Sequence, residues 1–198
     1  MVSRSGRYAV SVLVACVLLA GCQPANTPLP APTPSLRCTP EAGGAEYDCT
    51  PYEYDDMVAK DKLYAEAEAV YRRYLAEDLR ITGSGGVEAP TGELLETTSG
   101  AFLTQAMEGY RRDKAGKITI RGGDRIVESL TRLIGVSKAG STIAVRACLN
   151  ASSIKVYKAG KYSGHGLITQ DDLYFARIDS RLKLIGADGK EVDSCASG

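Results

Sequence analysis

The chain has 198 residues, with 24 basic and 24 acidic side chains, one histidine and no tryptophan. Without residues 1–21, the remaining 177 residues carry 22 basic and 24 acidic side chains, a net charge of about −2. This balance excludes a strongly basic protein, so the overall charge indicates neither nucleic acid nor an anionic lipid surface as a partner.

The first 21 residues have the layout of a secretory signal. Arg4 and Arg7 precede an uncharged run of 13 residues at positions 8–20. A helix that crosses the hydrocarbon layer needs roughly 20 residues. The run therefore predicts an export signal rather than a membrane span.

The signal ends in Leu19-Ala20-Gly21-Cys22, which resembles the lipobox of bacterial lipoproteins. The resemblance implies cleavage between Gly21 and Cys22 and transfer of a diacylglyceryl group to the Cys22 thiol. Each buried CH₂ of an acyl chain contributes about 0.8 kcal/mol, so the two or three chains that the resemblance implies would anchor the protein firmly. The alternative is a plain secretory signal that leaves Cys22 as an ordinary thiol.

A proline-rich segment follows Cys22. Residues 23–37 contain five prolines, which favour an extended polyproline II chain. At roughly 3.1 Å per residue this segment reaches about 45 Å when fully extended. We interpret residues 22–54 as a tether that includes a small disulfide loop; a ligand for a proline-binding domain is the alternative.

The six cysteines differ in their expected uses. Cys16 leaves with the signal and Cys22 takes lipid, and the remaining four are Cys38, Cys49, Cys148 and Cys195. An even number in an exported chain predicts two disulfides. Of the three possible pairings we favour Cys38 with Cys49, which closes a short loop, and Cys148 with Cys195, which ties a strand to the chain end. A metal site would compete for these thiols, but the chain has no Cys-x-x-Cys motif and we assign no metal.

Two helices are predicted in the first half of the remaining chain. Residues 55 to about 79 form an amphipathic helix capped by Asp55 and Asp56, and its apolar stripe consists of Leu63, Ala67, Val70, Tyr71, Tyr74 and Leu75. The glycine-rich residues 82–93 predict a loop. A second helix is predicted from about Ser99 to just before Gly116.

From Lys117 onward the apolar residues alternate with polar ones, as in strands. The predicted strands are "KITIR", "RIVESLTRLIGVS", "TIAVRACL" and "SIKVY", then a glycine-rich loop at 158–166, strands at about 167–179 and 181–187, and an Asp188-Gly189 turn. The first two strands flank Gly122-Gly123-Asp124. Helices followed by consecutive antiparallel strands predict an α+β fold, with N-terminal helices packed on a curved sheet.

This order of elements behind a lipobox, with Cys148 in "VRACLNAS" and Cys195 in "VDSC", resembles the nuclear-transport-factor-2-like, cystatin-like domains of actinobacterial lipoproteins. The resemblance covers residues 55–195, and we place the domain at residues 55–198. It implies a cone-shaped domain that can hold an active site or an apolar ligand.

The sequence offers few groups for catalysis. His165 lies between two glycines in a predicted mobile loop, where we expect a solvated side chain. Ketosteroid-isomerase-like members of the resembling superfamily use an inward carboxylate with a tyrosine, and the candidates for these are Asp171, Asp172, Tyr174 and Asp179. The sequence alone does not select among them, and ordinary surface charge is the preferred explanation, so we assign no catalytic residue and no cofactor.

We therefore expect a non-enzymatic lipoprotein anchored on the extracytoplasmic face of the cell membrane, whose domain binds an envelope protein or a small apolar molecule. One alternative is a cone-pocket isomerase or hydrolase of the SnoaL-like type. The other is a prophage- or plasmid-encoded surface-exclusion lipoprotein.

Lipidation at Cys22 is testable in the host. We expect wild-type chain to incorporate labelled palmitate and to sediment with membranes, whereas Cys22→Ala takes up no label and stays unprocessed or is released, because the acceptor thiol is gone. Cys16→Ala is the control and should behave as wild type. Labelling that persists in Cys22→Ala would refute the assignment.

Overall fold

The computed structural model describes residues 35–138 and 140–195. The predictions for the signal, for Cys22 and for the tether up to Pro34 fall outside these residues. The segment that begins at Ser35 forms one compact unit.

The structure confirms the α+β class, with helices before the main antiparallel strands. The elements in chain order are β1 (Leu36–Cys38), β2 (Tyr47–Cys49), α1 (Pro51–Gly83), α2 (Gly92–Thr97), α3 (Gly100–Gly116), β3 (Ile118–Arg121), β4 (Ile126–Arg132), β5 (Ile143–Asn150), β6 (Lys155–Lys158), β7 (Lys161–His165), β8 (Ile168–Ile178) and β9 (Arg181–Glu191).

Helix α1 is longer at both ends than the sequence pattern indicated. Thr50, not Asp55 or Asp56, is its N-cap: the Thr50 hydroxyl accepts from the Glu53 amide, and the Glu53 carboxylate accepts from the Thr50 amide. This capping box satisfies two amides that a helix end leaves without partners. At the other end the helix continues past Leu79 because Ile81 is fully buried.

The predicted loop at residues 82–93 is shorter than expected. Thr91 caps the short helix α2, whose Leu94 is fully buried. Helix α3 agrees with its prediction: Ser99 is the N-cap, and the helix ends where Lys117 takes a left-handed conformation with φ 51°.

The strands form three sheets rather than one curved sheet. Strands β4-β5-β8-β9 form a four-stranded sheet, β3-β6-β7 a three-stranded sheet, and β1-β2 a two-stranded sheet. Strands β3 and β4, which flank Gly122 and Gly123, do not pair; β3 pairs with β6 and β4 with β5. Gly123 has φ 68°, and a Cβ there would lie 2.5 Å from the Ser153 carbonyl oxygen. Only glycine therefore fits where the chain between β3 and β4 passes close to Ser153.

Two further predictions about the C-terminal half were wrong. Residues 158–166 are not a loop, since they contain strand β7. Asp188 and Gly189 do not form a turn, since they lie within β9 and pair with Asp172 and Asp171.

The main core lies between α1 and the four-stranded sheet. Ile143, Val145 and Ala147 of β5 face the predicted stripe of α1, and the neighbouring strands add Leu173, Phe175, Leu182 and Leu184. Each such large side chain contributes about 1.5–3 kcal/mol when it is fully buried. A second cluster, made by Ile81, Leu94, Met107 and Tyr110, holds α2 and α3 to the end of α1.

The disulfides join Cys38 to Cys49 and Cys148 to Cys195, the pairing that we favoured, with Cα–Cα distances of 5.8 and 5.6 Å. The loop closed by the first disulfide packs on α1. Within that loop Glu41 accepts from the Tyr64 hydroxyl at 2.9 Å and lies 3.2 Å from the Lys60 ammonium. The second disulfide ties β5 to the chain that follows β9.

The two disulfides should differ in their effect on stability. The Cys148–Cys195 link closes the longer loop, of 47 residues against 11. By loop entropy, its removal in Cys148→Ala/Cys195→Ala should lower the free energy of unfolding by about 4 kcal/mol, against about 3 for Cys38→Ala/Cys49→Ala. Urea unfolding of the oxidised proteins measures both values. Alkylation of any of these four cysteines before reduction would contradict the pairing.

Candidate functional site

A cavity of about 420 Å³ lies between α1, the three-stranded sheet and the four-stranded sheet. Helix α1 contributes Tyr71, Tyr74, Leu75 and Asp78 at positions i, i+3, i+4 and i+7, which share one face of a helix. The cavity therefore borders the C-terminal part of the apolar stripe of α1, where Tyr71 and Leu75 also belong to the core.

Most of the cavity wall is apolar. Ile120 and Val156 are register partners on β3 and β6 and both line the cavity. Leu149 and Leu173 line it from β5 and β8. Phe102 of α3 lies edge-on to the Tyr74 ring at 5.1 Å between centroids. The wall therefore favours the apolar part of a ligand.

A buried ion pair forms the polar end of the cavity. The Arg125 guanidinium, from the connection between β3 and β4, pairs with the Asp78 carboxylate. Their side chains are only 17% and 13% exposed, and the Tyr110 hydroxyl donates to Asp78 Oδ1 at 2.7 Å. Loss of one partner from a buried pair lowers the free energy of unfolding by about 3–5 kcal/mol. Each of these two residues therefore serves to neutralise the other.

Burial controls the protonation of the groups around this pair. Desolvation lowers the pKa of Arg125 and raises the pKa of Tyr71, Tyr74 and Tyr110. The three phenols therefore stay protonated at neutral pH and can donate hydrogen bonds within the site.

Asp171 is the second carboxylate of the cavity. It lies on the face of β8 that also carries Thr169 and Leu173, and its Oδ2 accepts from the Thr169 hydroxyl at 2.8 Å. Burial raises the pKa of Asp171, and none of the salt bridges found in residues 35–138 and 140–195 includes it. Gly189 is its register partner on β9, and a Cβ there would collide with Asp171 Oδ1, so the glycine leaves room for the carboxylate.

Asp171 is the only one of the four candidate residues from the sequence that faces the cavity. Asp172 points to the opposite face of the sheet and pairs with Arg146 at 2.6 Å. On that face the Tyr174 hydroxyl donates to Asp188 at 2.9 Å. Asp179 is exposed in the turn between β8 and β9, with φ 50°.

His165 lies outside the cavity. It is an exposed residue of β7, opposite Lys155, and its ring contacts that of Tyr162 edge-on at 5.5 Å. The loop expected around it is a strand, but the solvated side chain agrees with the sequence analysis.

The sequence analysis missed Asp78, Arg125 and Tyr110 as a group. Asp78 was detectable in principle, because it is an acidic residue on the apolar face of a helix, one turn beyond Tyr74 and Leu75. Arg125 was predicted as the first residue of a strand but lies in the connection before β4, and nothing in the sequence distinguishes it from a surface arginine.

Within the described part of the chain, no helix is both long enough and apolar enough to span a bilayer. No family model matches the chain, and no curated protein matches its sequence. Among solved structures, the crystal structure of the intermembrane space region of the chloroplast protein ARC6 aligns with a TM-score of 0.34 and 16% identity, over 65% of this chain and 95% of that one. A similarity at this level carries no inference about fold or function.

The buried Asp171 carboxylate should make stability depend on pH. Because its pKa is raised in the folded state, its contribution to stability is complete below the unfolded pKa of about 3.9 and is lost as the pH rises through the folded pKa. We expect Asp171→Asn to gain stability over wild type as the pH rises from 3 to 7, as measured by urea unfolding.

The matched control is Asp172→Asn, on the opposite face of the same strand. It loses the ion pair with Arg146 and should be no more stable than wild type at pH 7. If Asp171→Asn lost stability with rising pH as wild type does, the carboxylate would not be buried as described.

Proposed function

We propose that this protein is a lipid-anchored lipoprotein of the bacterial envelope whose α+β domain binds a small, mainly apolar molecule in the cavity. The anchor is the diacylglyceryl group on Cys22, on the extracytoplasmic face of the cell membrane. The observation that carries the binding function is a cavity whose apolar walls leave about 420 Å³ unfilled.

The size and chemistry of the cavity support this function. Sites for small molecules measure about 300–1,000 Å³ and combine apolar walls with a few polar groups. Here Asp171 offers a carboxyl group whose hydrogen-bond partner in the domain is Thr169. A ligand with an apolar body and one hydrogen-bond donor fits these groups.

The disulfides support the location. Two disulfides are typical of proteins that fold in an oxidising compartment, such as the bacterial cell surface or periplasm. The lipobox supplies the anchor. We also propose that the four-stranded sheet with α1 corresponds to the cone of nuclear-transport-factor-2-like domains, with the cavity at its centre.

The polar groups favour binding over catalysis. Asp78 is occupied by Arg125 and Tyr110, and His165 lies outside the cavity. A ligand would therefore meet one available carboxyl group without a histidine beside it.

One observation favours an enzyme as the second candidate function. Asp171 is a cavity carboxylate whose pKa is raised by burial, with the protonated Tyr71 phenol on the same cavity wall. Such a carboxyl group can serve as a general acid or base in an isomerase or hydrolase. Loss of turnover without loss of binding in Asp171→Asn would favour the enzyme.

The binding function predicts that filling the cavity removes the site. We expect the neutral fluorescent probe N-phenyl-1-naphthylamine to bind wild-type chain and Ala187→Phe to lower its affinity at least about tenfold, a loss of about 1.4 kcal/mol. Ala187 lines the cavity from β9, so a phenyl ring there occupies the space of the probe. Fluorescence titration measures the affinity, and a thermal melt verifies folding.

The control variant introduces a phenyl ring outside the cavity. Ala101→Phe changes an exposed residue of α3 and should bind the probe as wild type does. Equal affinity in both variants would place the probe outside the cavity and would argue against the proposed function.

A further inference from the structure

The three-stranded sheet β3-β6-β7 differs in charge from the rest of the protein. Its strands carry four cationic side chains and no acidic residue: Arg121, Lys155, Lys158 and Lys161. All four are exposed. We call these three strands the basic sheet.

These four cations have no anionic partner in the described part of the chain. No salt bridge within 4.0 Å found there includes any of them. The four-stranded sheet differs: its arginines Arg132, Arg146, Arg177 and Arg181 pair with Asp61, Asp172, Glu66 and Glu96. Lys183 and Lys190 of β9 also form no salt bridge found there, but their strand carries the acidic residues Asp188 and Glu191. Among the three sheets of the described residues, only the basic sheet combines unpaired cations with strands free of acidic residues.

The two faces of the basic sheet have different roles. Ile120 and Val156 face the cavity, and their chain neighbours Arg121, Lys155 and Tyr157 therefore point to the opposite face, because side chains alternate along a strand. On that face the Arg121 guanidinium lies 5.0 Å from the centre of the Tyr157 ring.

Tyrosine rings accompany the cations on this face. The rings of Tyr157 and Tyr162 are register partners and meet edge-on at 6.1 Å, and Tyr162 is 54% exposed. Leu167, which follows β7 by two residues, is 52% exposed. Arg121, Lys155, Tyr157 and Tyr162 thus share the outer face of the basic sheet, whereas Lys158 and its register partner Lys161 lie on the other face, at the turn between β6 and β7.

This combination matches the surface of an anionic bilayer. Each Lys or Arg near such a surface contributes about 1 kcal/mol, and tyrosine is enriched at membrane interfaces because its ring is apolar and its hydroxyl is polar. We propose that the basic sheet docks the domain on anionic phospholipid headgroups, with Tyr162 at the interface. The net charge of the chain does not drive this contact; the local arrangement does.

The test uses the mature chain, which the proposed function anchors through the acyl groups on Cys22, on two kinds of vesicle: phosphatidylcholine alone and phosphatidylcholine with phosphatidylglycerol. The acyl groups carry no charge, so only the headgroup charge differs between the two samples. The readout is the acylation rate of individual lysines with an uncharged reagent, measured by mass spectrometry.

We expect Lys155 to react at least about fivefold more slowly on the anionic vesicles, which corresponds to about 1 kcal/mol. High salt should abolish the difference by screening. Lys62, an exposed lysine of α1, should react at the same rate on both vesicles.

Charge-reversal variants test whether the protection depends on the basic sheet itself or only on the total charge of the chain. In Arg121→Glu, the protection of Lys155 should disappear. The matched variant Lys190→Glu changes one exposed residue outside the basic sheet by the same charge and should keep the protection.

Three results would overturn the proposal. The first is equal acylation of Lys155 on neutral and anionic vesicles, and the second is protection of Lys155 that survives Arg121→Glu. The third is protection of Lys155 by soluble polyphosphate but not by anionic vesicles, which would identify a soluble phosphate polymer as the partner instead of a bilayer. None of these readouts depends on ligand binding in the cavity.

Discussion

The packing of α1 across the four-stranded sheet is the constraint on which both the fold and the cavity depend. The first part of its apolar stripe, including Ala67 and Val70, lies directly on the sheet. From Tyr71 to Asp78 the same stripe faces the cavity. The buried pair of Asp78 with Arg125 closes this end of the helix face, because a carboxylate there needs a charged partner when water is excluded. Tyr71 and Leu75 belong to the core as well, so this part of the helix packs on the sheet and borders the binding site at the same time.

The elements that could be predicted from the sequence are those with a strong local pattern. The α1 stripe, α3 and the strands β5 and β8 follow from periodicity, because burial on one face imposes it. The division into three sheets could not be predicted, since β3 pairs with β6 across more than thirty residues, and local alternation does not specify a partner. Strand β7 was missed because "KYSGH" has no apolar alternation. Asp171 could be identified only as one of several candidates, since the register decides which of Asp171 and Asp172 faces inward.

The charge of the whole chain conceals how charge is arranged. Near-neutral composition indicated no anionic partner. The four arginines of the four-stranded sheet pair with carboxylates, whereas the four cations of the basic sheet have no such partner in the described part of the chain. A sum over the sequence cannot distinguish these cases, because pairing depends on contacts between distant residues. Arg177 with Glu66, for example, joins residues separated by 111 positions. The positive surface can therefore be identified only from the contacts in the folded chain.

The basic sheet also separates the two proposed sites although both use the same strands. Alternation sends Ile120 and Val156 into the cavity and Arg121, Lys155 and Tyr157 to the opposite face. Substitutions on one face therefore leave the side chains of the other face in place, so that ligand binding and bilayer contact can be removed independently. The two faces meet at the chain that follows β7, where Gly166 and Leu167 line the cavity directly after His165. Contact of the basic sheet with a bilayer would bring this border of the cavity next to the lipid, where apolar molecules are concentrated.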